Sequence, residues 1–115
     1  MTFFTFTDNL DIVDEKPIRV LAKIALTPQN EGGRHGPFTK GFRPNHNFKG
    51  PENTFFFIGQ IEVSENEWVY PGETRELFVT FLNARGLREL LTPGRVWRIQ
   101  EGSKFIATGT VIAVE

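Results

Sequence analysis

The run IRVLAKIAL, residues 18–26, constrains the fold more than any other stretch. Apolar side chains recur at every second position (Ile18, Val20, Ala22, Ile24 and Leu26), with Arg19 and Lys23 between them. A period of two is that of a strand with one buried face, and one strand cannot bury that face alone. Partners follow along the chain. TFFFIGQIEV sets Phe55, Phe57, Ile61 and Val63 on one side and Thr54, Gln60 and Glu62 on the other, where Phe56 and Ile58 also fall. ELFVTFL, RVWRIQ and FIATGTVIAV complete a set of five or six strands. Turn chemistry separates them at Pro71-Gly72, Pro93-Gly94 and Glu101-Gly102-Ser103, the last of hairpin length. The pattern predicts an all-β barrel or sandwich. ARGLRELL is the one helical hint, ended within a turn or two by Pro93-Gly94. Gly59 and Gly109 fall inside strand patterns, where a bulge or sharp coil is expected.

At 115 residues the chain is one domain with room for one core. Residues 1–16 read as an N-terminal arm whose FFTF is expected to add an edge strand or pack on the barrel, and residues 17–115 as the barrel domain. There is no cysteine, hence no disulfide framework and no thiolate nucleophile. The acidic start, MTFFTFTDNLDIVDEK, lacks the basic lead and apolar run of a signal peptide, so a cytoplasmic location away from membranes is expected.

Charge is distributed unevenly behind a formal net value of −1. The stretch EGGRHGPFTKGFRPNHNF, residues 31–48, holds four of the eleven glycines, both histidines, three basic residues and a single acid. A second basic stretch carries Arg85, Arg88, Arg95, Arg98 and Lys104 against Glu89 and Glu101. Between them, residues 52–76 bear six glutamates and one arginine. If folding brings the two basic stretches together, a near-neutral protein gains a basic face.

Several chemistries have no foothold. No glycine-rich phosphate loop opens a helix. His35 and His46 are eleven residues apart with no third strong ligand nearby, which is not a zinc spacing. Ser64 and Ser103 sit in turns without nucleophile-elbow surroundings. No catalytic residue, metal or cofactor is nominated, and a non-enzymatic binding role is expected.

The same residues carry a family resemblance. Glu31-Gly32-Gly33-Arg34-His35, then Pro37-Phe38, Lys40-Gly41 and Arg43-Pro44, resembles the third, C-terminal β-barrel domain of translation elongation factor Tu. FIGQIEV, YPGE, LFVTFL and RIQEGSKFIATGTV follow in the family's order, so the likeness spans residues 18–115. The resemblance implies a closed, antiparallel six-stranded barrel. It further implies a share in binding the T stem of aminoacyl-tRNA and docking surfaces for protein partners, but no GTPase. Arg34 and His35 match family positions near the tRNA, and Glu101 and Gly102 match the pair that meets ribose hydroxyls. Asn45 replaces a glutamine, Ile58 a threonine and Gln100 an arginine. A family lysine has no direct counterpart, with Arg85 and Arg88 close by.

Two functions therefore stand as expectations. One is a protein-interaction or decoy module linked to the translation machinery, docking a partner of elongation factor Tu or a toxin that attacks it. The other is weak binding of tRNA or other structured RNA through a basic rim of Arg34, His35, Lys40, Arg43, Asn45, Arg85, Arg88, Glu101, Gly102 and Lys104. Without the family, Arg34 is most simply a turn residue paired with a carboxylate or carbonyl, and Trp68 and Trp97 are core or barrel-lid residues.

Overall fold

The computed structural model describes residues 11–115. Six strands form in sequence order: β1 (Ile12–Leu26), β2 (Asn45–Asn47), β3 (Phe57–Ile61), β4 (Thr74–Ala84), β5 (Val96–Glu101) and β6 (Lys104–Val114), with one short helix, α1 (Leu87–Leu90), after β4. They close into a barrel in the order β1-β4-β3-β2-β5-β6. Every pair is antiparallel. Closure leaves the sheet without the free edges of an open one. No helix among the described residues is long and apolar enough to cross a membrane.

Alternation read from the sequence is the alternation of the wall. Ile18, Val20, Ala22, Ile24 and Leu26 all point inward and are buried, as are Phe57, Ile61 and Val63. Trp97 and Ile99 of β5 and Phe81 and Val79 of β4 meet them. Burial of such side chains stabilises by about 1.5–3 kcal/mol each. Phe55, grouped with that inward set, lies in the connection just ahead of β3 and is exposed.

Strand pairing slips where the barrel needs to bend. Ile99 faces Ala107 and Gln100 faces Phe105, which leaves Ile106 as an extra residue, and both Ile106 and Ala107 then turn inward. The two strand glycines have a different purpose from the bulges expected of them. A Cβ on Gly109 would lie 2.5 Å from the Trp97 ring, and one on Gly59 would lie 2.8 Å from the Phe81 ring. No pairing slip falls at either glycine, so each is a recess for a core aromatic.

The first residues of the expected arm lie outside the described range, FFTF among them. Ile12 to Lys16 run on as the beginning of β1, with Ile12 opposite Ala84 and Asp14 opposite Asn83 before regular pairing resumes at Ile18 opposite Phe81. The barrel strand thus begins ahead of residue 17.

Two connections follow from the closed order. β1 and β2 are separated by β4 and β3 on one side and by β6 and β5 on the other, so they stand across the barrel from each other. Residues 27–44 must therefore cross one mouth. β4 and β5 are likewise opposite, and residues 85–95, including α1, cross the other mouth. Each crossing sinks apolar side chains into the opening: Phe38 in the first, Leu87 and Leu91 in the second.

Candidate functional site

Most of the residues nominated by sequence meet at the mouth crossed by residues 27–44. β1 and β3 end there, β2 and β4 begin there, and the β5–β6 hairpin turns there. That places Arg34, His35, Lys40, Arg43, Asn45, Glu101, Gly102 and Lys104 at or beside one rim.

Arg85 and Arg88 belong to the other crossing and lie at the opposite mouth, beyond Ala84 at the far end of β4. The expectation that they share a rim with Arg34 is corrected by the antiparallel order: a strand that starts at one mouth delivers its following loop to the other. Arg85 is held there by Asp11, whose carboxyl its guanidinium keeps below the usual carboxylate range, chiefly through the side-chain hydrogen bond.

The lid is fixed through its middle. Phe38 and Val69 exchange backbone hydrogen bonds of 3.0 and 2.9 Å, tying residues 27–44 to the loop between β3 and β4. Phe42 stacks on Phe38 with ring centroids 4.2 Å apart. Arg34 lies over Phe42, donates from Nε to Glu101 at 2.8 Å, and donates from Nη1 to the carbonyls of Gly36 and Pro37. Its guanidinium is thus engaged within the chain, and its partner Glu101 is the carboxylate that the resemblance assigns to a ribose hydroxyl. His35 is exposed, with Nδ1 3.5 Å from Gln29.

Acids that are far away in sequence also arrive at this rim. Residues 62–73 connect β3 to β4 here, and Glu65 sits 3.5 Å from Lys40. Glu67 and Glu73 both approach Arg75, at 3.2 and 3.9 Å. Charge segregated along the chain is therefore mixed in space. Arg43 and Lys40 look onto an open groove of about 550 Å³ on the outer wall, where Ile58 and Leu82 stand beside Glu15 and Glu62. Glu62 is held below the ordinary carboxylate range, first by its hydrogen bond from Arg19 and then by Thr80.

Gln100 is buried among polar partners. It accepts from Asn47 at 2.7 Å and donates to the Gly102 carbonyl at 3.1 Å, so its role is to hold the hairpin. Asn45 is half-buried and pairs between Ile58 and Gln100.

His46 points into the barrel. Trp97 donates its indole N–H to Nδ1 at 3.0 Å, and the Gly59 carbonyl lies 2.9 Å from Nε2. An indole nitrogen can only donate, so Nδ1 accepts and the imidazole proton resides on Nε2. Burial pushes this imidazole down to about 4. No group of three or more His, Cys, Asp or Glu side chains among the described residues could hold a metal ion.

The sequence reading missed Trp68. Trp97 is core as expected, but Trp68 is 49% exposed and Tyr70 is 52% exposed, while Val69 between them is fully buried. The signal was present: Trp68-Val69-Tyr70 alternates just before Pro71-Gly72, which is the mark of a short extended segment with two outward aromatics. No protein-family model matches the chain.

Proposed function

We propose that the protein is a non-catalytic interaction module that docks a protein partner of the translation machinery at its lidded mouth. On this reading its surface imitates that of the third domain of elongation factor Tu, and it serves as a docking unit or decoy for something that binds that factor. The observation that carries the docking reading is the outward pair Trp68 and Tyr70, half-exposed on a loop anchored by the Phe38–Val69 bridge. Large aromatics on a fixed backbone are the side chains that most often supply binding energy between proteins. The link to translation rests on the resemblance of residues 18–115.

The RNA reading is the weaker one. Arg34 and Lys40 face carboxylates of the same chain, and Arg85 and Arg88 lie at the other mouth. Too few cations remain on one rim for strong phosphate binding.

Titration against purified proteins that dock on the third domain of elongation factor Tu, with aminoacyl-tRNA as a parallel arm, tests the proposal. A protein complex weakened by Trp68→Ala is expected. A tRNA complex that weakens with salt and with Arg43→Ala, with no protein complex, overturns it.

A further inference from the structure

Three partly buried rings of the wall and lid are roofed by an arginine of the chain itself. Arg19 lies 3.5 Å above the Phe78 ring, Arg98 lies 4.5 Å above Phe105, and Arg34 lies 4.9 Å above Phe42. Phe55, which is exposed, packs edge-on against Phe57. Trp68 and Tyr70 have no such roof: among the described residues no cation covers either ring. They are more exposed than any of the roofed rings, and indole is the strongest cation-binding face among the side chains.

The surroundings of these two rings favour positive charge. Glu67 directly precedes Trp68, and the Glu73 carboxylate accepts the Tyr70 backbone N–H at 3.1 Å. Both carboxylates share the single guanidinium of Arg75, at 3.2 and 3.9 Å, so one negative charge is left over on the loop that carries the rings. A ring face offers a guanidinium stacking, and a carboxylate on the same loop can add a charge-assisted hydrogen bond.

We propose that the Trp68–Tyr70 face receives an arginine side chain carried on an exposed, basic segment of a protein partner. This deepens the docking reading and rests on it for the biological setting, while the chemistry belongs to the loop alone. Phosphate-bearing RNA is disfavoured on the same face, because the surplus charge is negative.

The test is calorimetric titration with a short peptide of alternating glycine and arginine, beside the same peptide with citrulline, which keeps the shape and removes the charge. Saturable binding to the arginine peptide is expected, about tenfold weaker for citrulline and for Trp68→Ala. Glu67→Gln combined with Glu73→Gln should weaken binding several-fold and flatten its salt dependence. Trp68 is at the surface, so the Ala variant keeps its fold, checked by the emission of buried Trp97, the other of the chain's two tryptophans. Equal affinity for citrulline, unchanged affinity of Trp68→Ala, or no saturation below about 1 mM overturns the inference. A photo-cross-linker placed at Tyr70 separates the two claims. Capture of a purified translation partner without arginine-peptide binding sinks the guanidinium proposal and leaves docking standing. Peptide binding without any such capture supports the guanidinium site and removes the translation partner.

Discussion

Trp97 donates an indole N–H hydrogen bond to His46 across the interior of the barrel, 3.0 Å from Nε1 to Nδ1, and thereby fixes which tautomer the imidazole adopts. Nε2–H is left to serve the Gly59 carbonyl, and the Phe81 ring packs edge-on against the imidazole. A second proton on His46 would set two donors face to face at Nδ1, with none of the neighbouring side chains able to accept.

Stability should therefore fall with acid over a window set by His46. Its folded value is about 4 against an unfolded 6.5, so the unfolded chain takes up protons first as the pH drops. The stabilisation is complete above about pH 6.5 and is lost progressively down to about pH 4, up to about 3 kcal/mol in all. Urea melts of His46→Gln should show a protein about 1–3 kcal/mol less stable at pH 7 whose stability no longer declines between about pH 6.5 and 5. A variant with the wild-type slope in that interval would remove His46 as its source.

Gly109→Ala should be destabilising by about 1–3 kcal/mol, because a methyl group there meets the Trp97 ring at 2.5 Å and the indole cannot retreat from a filled core. Thermal melts measure the loss, and the emission of Trp97 should shift as its ring is displaced. A neutral result would mean that the ring has room to move.

Arg34 holds the lid through a fork that lysine cannot reproduce: Nε to Glu101 and Nη1 to two backbone carbonyls. Arg34→Lys should cost about 1–2 kcal/mol, whereas Glu101→Gln alone should cost under about 1 kcal/mol because the pair is partly solvated. A double-mutant cycle read by urea denaturation checks this. A coupling well above about 1 kcal/mol would mean that the carboxylate, rather than the two carbonyls, dominates the hold on Arg34.

Charge reversal at the far mouth should leave docking untouched. Arg85→Glu with Arg88→Glu is expected to bind protein partners at the lidded mouth as the wild type does, within about twofold, since the two crossings face away from each other. Loss of partner binding in this variant, with the fold intact by circular dichroism, would place the docking surface elsewhere.

The barrel was legible because its evidence is local. A period-two run such as residues 18–26 states which side chains face the core, and the turn residues state where strands end. Rim membership was harder to read. Arg34 and Arg88 are alike in type and both follow strands, but whether they share a mouth depends on the parity of the strands between them and on which strands stand opposite in the closed order. Trp68 reads as a core or barrel-lid residue on residue type alone, although its neighbour Val69 takes the inward position. The charge balance of the rim was also hidden, because Glu65 and Lys40 are brought together by tertiary ties between the lid and the β3–β4 loop, the Phe38–Val69 bridge among them.

Both openings of the barrel have the chain strung across them, with Phe38 stopping one and Leu87 and Leu91 the other. Among the described residues, the hollow that such a sheet could have offered is covered at both ends and filled with side chains. On the docking proposal, recognition belongs to the outer skin, and substitutions meant to change it should be sought there.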